Sequence, residues 1–355
     1  MLTVLSFIFV LGILIFIHEL GHFVVAKKVG IKVHKFSLGF PPDIISKKVG
    51  DTTYCIGLVP LGGYVKMAGE DPDETATGAE NEFGSKSLLE RTAVILAGPF
   101  MNYLLAIFVL IGVFYFGGKP IFDPKKIIVG NLVKKGPALK AGMKTDDQII
   151  AVDGTIVPSF DSLRSLIMPR VNRPVEITWI SNGDTVSKTM TTIPNPIALP
   201  DGTYDTIGVI GFNQKPIRYE YPTLGKAVAE GFIFTHVIVK ETFVFVKKLI
   251  TGNVSAKMIG GPLFIAQQSG KEAEKGAGSL FVFMALLSVN LAVLNIMPIP
   301  ILDGGHLLFL LIERIKGSPV SIRARAISQQ AGLVLLLTLI VIVTYNDIFR
   351  VIRGY

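Results

Sequence analysis

His18, Glu19 and His22 stand in the run Phe16-Ile17-His18-Glu19-Leu20-Gly21-His22-Phe23, where an apolar stretch would otherwise continue without a charge. Four residues separate the histidines, so on a helix their imidazoles lie one turn apart on one face and can grip a single Zn²⁺. Glu19 then stands beside the metal as a base able to take a proton from water activated there. The setting sharpens this reading. Ionisable groups at membrane depth cost roughly 2.5 to 3.5 kcal/mol each, so three of them together need a reason. A site that merely stored metal would keep the histidines and have no use for a base, so Glu19 favours an enzyme.

A second polar constellation lies far along the chain, at Asn295-Ile296-Met297-Pro298-Ile299-Pro300-Ile301-Leu302-Asp303-Gly304-Gly305-His306. Pro298 and Pro300 forbid a regular helix there, and Asp303 with its two glycines offers a carboxylate on a yielding backbone. A catalytic zinc takes three protein ligands and leaves one position open, and His18, His22 and Asp303 supply that count. His306, one helical turn after Asp303, is the alternative third ligand, although a capping role or a place behind a ligand suits it as well. Cys55 is the single cysteine. It excludes an intramolecular disulfide and a cysteine-based zinc site, and it reads as a small packed hydrophobe. His34 and His236 read as surface residues, and Asn102, in mid-span, either satisfies a neighbouring helix or touches substrate.

The elements that must position these groups are set by an apolar composition: 355 residues, 50% hydrophobic, with a mean hydropathy of +0.54. That describes a polytopic membrane protein carrying a sizeable polar domain. Residues 1–17, 92–116, 279–301 and 330–345 can each cross a ~30 Å hydrocarbon core, some with tilt. The first is expected to remain as a span, since it has neither a basic leading region nor a small-residue cleavage site. Lys27, Lys28, Lys32 and Lys35 follow it and no basic residue precedes it, which places the zinc motif toward the cytoplasmic face. Residues 223–250 look half hydrophobic but carry Lys226, Glu230, His236, Lys240, Glu241, Lys247 and Lys248, so they are expected as an amphipathic helix on the outer surface. Four spans result. The first and third then run in the same direction and bring Asp303 to the face that holds His18 and His22; a fifth span would put it on the wrong side.

Between spans two and three the chain turns polar and β-rich. Val175, Ile177 and Trp179 alternate onto one face, Asn182-Gly183 is a type I′ hairpin turn, and residues 185–192 return as the partner strand. Gly136 to Met143, followed by Asp146 to Gly154, resembles the pattern of PDZ domains, with residues 161–168 as the groove helix. Earlier, residues 53–67 are apolar, β-prone and broken by Pro60, Gly62 and Gly63. They are expected to form a β-hairpin that re-enters the membrane edge against protein or a wet cavity. The acidic, Gly/Thr-rich stretch 69–84 reads as an exposed loop. A net charge of +8 without a basic run interleaved with aromatics suits loops facing anionic lipid and argues against nucleic acid as a partner.

Taken together, His-Glu-Leu-Gly-His in the first span, Asn-x-x-Pro-x-Pro-x-Leu-Asp-Gly near the end and a PDZ-like insertion between resemble the site-2 protease family (M50). The resemblance is closest to its bacterial branch, the regulator-of-sigma-E type of intramembrane zinc protease that cuts anti-sigma factors. Supporting stretches are Phe36 to Phe40, Gly62 to Val65, Ala97 to Asn102, Leu249 to Gly252, Gly261-Pro262 with Ile265-Ala266, and Tyr345 to Asp347. It implies His18, His22 and Asp303 as zinc ligands and Glu19 as catalytic base. Asn295, together with Pro298 and Pro300 just after it, is implied to hold the substrate strand or the developing oxyanion, and the hairpin containing Gly62, Gly63 and Tyr64 to pair with an unwound substrate. The implied architecture is a polytopic α-helical membrane protein with four transmembrane helices, a membrane re-entrant β-hairpin and one inserted α+β PDZ domain. Residues 1–116 would form the N-terminal membrane half, 117–222 an extracytoplasmic PDZ domain, 223–275 the surface helix and linker, and 276–355 the C-terminal membrane half. The implied setting is a monomer in the bacterial inner membrane, with zinc as cofactor, lipid around it and single-span membrane proteins as substrates. Clearance of signal-peptide remnants is the alternative task, and a non-catalytic zinc carrier or PDZ scaffold the rival from another class. Two departures stand out: one PDZ-like copy rather than a pair, and Gly39-Phe40-Pro41 where many members read Gly-Phe-Gly.

Overall fold

Leu2–Lys28 forms one uninterrupted helix, α1, because the run holds no proline and its aliphatic side chains leave the backbone no polar partner but itself. In the computed structural model, which describes residues 1–70, 77–198, 204–255 and 259–353, it is followed by β1 (Val33–Val49), β2 (Thr52–Met67) and α2 (Leu88–Gly117). A β-rich stretch comes next: β3 (Lys119–Ile121), β4 (Ile127–Leu132), α3 (Pro137–Lys140), β5 (Gln148–Val152), β6 (Thr155–Ile156), α4 (Phe160–Ile167), β7 (Pro174–Ser181), β8 (Asp184–Thr191), β9 (Ile193–Ala198), β10 (Tyr204–Val209), β11 (Phe212–Gln214) and β12 (Arg218–Glu220). Helices α5 (Leu224–Ile250), α6 (Pro262–Lys275), α7 (Ala277–Ile296), α8 (Asp303–Lys316) and α9 (Ile322–Arg353) complete the chain. Two compact units result, one built from residues 1–113, 224–248 and 260–348, the other from 114–223, 249–259 and 349–355.

Among the described residues four helices are long and apolar enough to cross a membrane: Leu2–Lys28, Leu88–Gly117, Ala277–Ile296 and Ile322–Phe349. Contacts fix the relative directions of the first three. Phe9 meets Phe281 with ring centroids 6.4 Å apart, and His18 meets Asn295, so α1 and α7 run the same way. Gly21 lies against the Ala97 carbonyl and His18 against Asn102, so α2 runs opposite to both.

The helix expected on the outer surface, α5, is a helix but lies lengthwise along α2. Gly231 fits against Ile111, His236 meets Tyr103 at 3.3 Å, and Thr242 donates to Asn290 of α7 at 2.7 Å. Its charges favour water, but its buried stripe of Ala227, Gly231, Thr235 and Ile238 decides the packing. Small residues at this spacing let two backbones approach closely, and the Thr235 hydroxyl is satisfied by the Gly231 carbonyl at 2.8 Å. The common direction of α1 and α7, on which the position of Asp303 depends, is kept.

Residues 53–67 do not pair with each other as a hairpin. Instead Lys35 to Leu38 of β1 face Lys66 to Gly63 and also Thr53 to Ile56, so this segment lies between the two halves of β2. Val49 to Ser46 then pair with Thr52 to Cys55. Pro60 and Gly62-Gly63 therefore mark a wide crossover in place of a tight turn. The stretch 69–84 is tied down at its end: Phe83 is buried, its N–H donates to the Ala68 carbonyl at 2.7 Å, and Glu82 accepts from Thr77 and Gly78. Residues 71–76 of that expected loop lie outside the described residues.

In the second unit the sheet runs in the order β11-β4-β5-β7-β8, with β6 beside β5. Val175, Ile177 and Trp179 are each at most 1% exposed and share a core with Leu163 and Ile167 of α4, as the alternation predicts. Asn182 and Gly183 both take positive φ, and Ser181 pairs with Asp184, which is the expected two-residue hairpin turn.

One polar tie holds the start of α2 to the end of α8. Arg91 grips Glu313 with two hydrogen bonds of 2.6 and 3.0 Å, and both side chains are mostly buried. Removing one member leaves the other charge poorly solvated. Arg91→Ala is expected to lower stability by about 2 to 4 kcal/mol, read as faster thermal inactivation in detergent. Arg91→Met combined with Glu313→Leu is expected to recover most of that loss; equal damage from the single and double variants would deny the pair its role.

Candidate metal centre

Three spans and a turn build the site. From α1, His18 and His22 project on one face, with ring centroids 4.8 Å apart and planes at 81°. α7 ends at Ile296, and the chain then folds back through Pro298 and Pro300 before α8 opens on Asp303. Gly304 and Gly305 are what allow this return. A methyl group at Gly304 would overlap the carbonyls of Ile296 and Met297, and one at Gly305 the Ile299 carbonyl and Pro300. The aspartate is thereby carried onto the histidine face.

The donor atoms converge. Nε2 of His18 and Nε2 of His22 are 3.3 Å apart; Asp303 places Oδ2 3.3 Å from the first and Oδ1 3.6 Å from the second. Ligands about 2.0 to 2.2 Å from a tetrahedral zinc are separated from one another by roughly 3.3 to 3.6 Å. The hydrogen bonding points the same way. His22 Nδ1 donates to the Val94 carbonyl at 2.8 Å, so in the neutral ring its Nε2 carries a lone pair aimed at a carboxylate. Asp303 Oδ2 is buried and accepts no hydrogen bond. A lone pair and an anion brought together in a buried place call for a cation between them. Among the described residues this is the one cluster of His, Cys, Asp or Glu with such convergence.

Around it the other expected residues divide. Glu19 is half-buried and within electrostatic reach of His18, His22 and Asp303. Gly63 lies directly beside it, where a methyl group would come within 3.0 Å of the Glu19 Cγ. Asn295 places its amide nitrogen 3.3 Å from His18 Nε2. Gly62 packs under the Phe40 ring, and Tyr64 stacks on that ring at 6.4 Å and 9°, so these two shape the β1–β2 sheet beside Gly63. Pro298 is exposed and Pro300 packs toward Gly332 of α9; both act on the turn. His306 meets Phe309 at 6.5 Å and is not in the donor cluster.

Of what α2 contributes, the sequence singles out Asn102 alone. Beyond Val94, Gly98 presses on the His22 ring and the Asn102 amide stands 3.2 Å from His18 Nδ1. Glu70, just after β2, also lies within electrostatic reach of His22 and Asp303, and burial pushes its carboxyl up to about 7. Ala97-Gly98-Pro99 was visible as a motif, but a main-chain acceptor leaves no mark in a sequence.

Comparison with known proteins agrees with this chemistry. The family model of peptidase family M50 matches residues 6–339. A relative from Agrobacterium fabrum is 34% identical over 98% of this chain and 96% of its own length. The zinc metalloprotease RasP of Geobacillus kaustophilus is 32% identical, covering 98% of this chain and 97% of that one. The regulator of sigma-W protease RasP of Bacillus subtilis is 31% identical, covering 98% of both.

Proposed function

The chain belongs to peptidase family M50, and on that premise we propose that it is a zinc-dependent endopeptidase cutting single-span membrane proteins at membrane depth. Anti-sigma factors are the substrate class that the name of the sigma-W relative favours. The observation that carries the proposal is the meeting, at the separations of a tetrahedral site, of two imidazole nitrogens on a helix apolar enough to lie in lipid with a carboxylate just beyond the end of another.

His18, His22 and Asp303 would hold the zinc. When bound, it supplies Lewis-acid polarisation of the scissile carbonyl and brings the acidity of water toward neutrality. Glu19 accepts the proton of the attacking water and hands it to the leaving amine. The Asn295 amide donates to the carbonyl oxygen as it gains charge. A substrate helix must unwind to expose its carbonyl, and the β1–β2 sheet beside Gly63 would receive it as an added strand. Gly63, lacking a side chain, keeps that strand close to Glu19. The β1–β2 sheet is then the membrane re-entrant element, the β-rich unit a PDZ domain on the extracytoplasmic side, and the zinc site faces the cytoplasm of a bacterial inner membrane, as Lys27 and Lys28 at the end of α1 favour.

Purified full-length protein in detergent is expected to carry one zinc per chain. His22→Ala and Asp303→Ala should each weaken it by more than the roughly 10- to 100-fold that loss of an outer partner costs. Cleavage of a single-span reporter should stop with a chelator and return with zinc. Zinc-free protein that cleaves at the normal rate would overturn the proposal.

A further inference from the structure

A ligating imidazole must present a lone pair at one nitrogen, and the group bonded to its other nitrogen decides whether it does. For His22 the matter is settled by α2: the Val94 carbonyl can only accept, so Nδ1 carries the hydrogen and Nε2 is free. His18 has the same need. Its Nε2 is the atom that converges with His22 and Asp303, so its Nδ1 must be an N–H. The group facing that Nδ1, at 3.2 Å and two helical turns beyond Val94, is the amide of Asn102.

Asn102 is completely buried, and its Oδ1 has no hydrogen-bond partner. With Nδ2 turned toward His18, two donors would face each other once Nε2 binds a metal. The oxygen and nitrogen of an amide have nearly the same shape, so a half-turn about the last side-chain bond exchanges them without displacing a neighbour. Oδ1 then accepts from Nδ1.

A role in helix packing alone does not account for the side chain. The bond that ties this part of α2 to α7 runs from the Ser288 hydroxyl to the main-chain oxygen of Asn102, at 2.7 Å, and any residue would keep it. Burying an amide at membrane depth without a use for it is costly.

We infer that Asn102 is a positioning residue for the metal: its amide oxygen accepts the His18 Nδ1–H and holds that ring in the Nε2-ligating tautomer, as the Val94 carbonyl does for His22. This rests on the reading of His18, His22 and Asp303 as zinc ligands. One helix would thus orient both histidines of another.

The test is zinc affinity of the full-length protein in detergent, measured by competition with a chromophoric chelator. Asn102→Leu, of similar size but without an acceptor, is expected to bind zinc about 10- to 100-fold more weakly. Asn102→Asp keeps an acceptor oxygen and is expected to stay within about threefold of the unchanged protein or to bind more tightly. Unaltered affinity in Asn102→Leu overturns the inference, as does equal weakness of both variants when their zinc-free forms unfold at the normal temperature. If the leucine variant does not fold, ¹⁵N shifts of labelled histidine in the zinc-free, otherwise unchanged protein read the tautomer directly. Hydrogen on Nδ1 of His18 supports the inference, and hydrogen on Nε2 overturns it. Unchanged protein that binds no zinc at all would sink the metal site itself, a separate result.

Discussion

Glu19→Gln is expected to bind zinc as tightly as the unchanged protein and to cleave a single-span reporter about 10²- to 10⁴-fold more slowly. The amide has the size and shape of the carboxyl, so the packing of Gly63 against the Cγ is preserved. Glu19 is not one of the converging donors, so the ligand set is untouched. What the substitution removes is the capacity to accept a proton beside His18, His22 and Asp303, and a general base contributes on this scale. Metal analysis and a cleavage time course on one preparation separate the two effects. Transmembrane fragments that accumulate in cells carrying the variant and disappear with the active enzyme would identify the substrates by mass spectrometry. A variant that cleaves normally would show that Glu19 is not the base, and one that loses zinc would place its role in the metal site.

The histidine pair was legible because its chemistry is local: four residues on a helix suffice to put two imidazoles on one face. Asp303 became legible only by count, as a carboxylate on a backbone that prolines and glycines keep from being a plain span. What remained hidden is non-local. That Lys35 to Leu38 would lie between the halves of β2 is a choice of strand neighbours, which no local pattern fixes. Seven ionisable side chains made α5 read as a water-facing helix, while four small or buried positions on its other face set where it packs. The Val94 carbonyl belongs to a residue that looks like any other aliphatic in a span, and its bond to His22 exists only because two helices cross there. Within the β-rich unit, by contrast, strand alternation and the Asn182-Gly183 turn are themselves local, and they agree with the structure residue by residue.

The same crossing makes Gly98→Ala a severe change at a position that looks permissive. In an exposed helix this substitution usually stabilises, by up to about 1 kcal/mol. Here the added methyl would overlap Nε2, Cε1 and Cδ2 of His22, the ring that the Val94 carbonyl holds from its far side. Withdrawal of α2 is not an easy remedy, because on the facing helix Gly21 already lies against the Ala97 carbonyl and the Met101 side chain, and Asn102 follows one turn later against His18. The ring must therefore turn or the helices must part, and either removes His22 Nε2 from the convergence with His18 and Asp303. Zinc affinity is expected to fall by more than the roughly 100-fold upper range for loss of an outer partner, with cleavage lost in parallel. Gly112→Ala, on the same helix with nothing within 4 Å of the new methyl, is the control and should leave both unchanged. If the two alanine variants behaved alike, the close approach of α1 and α2 at Gly98 would not be what holds the ligand in place.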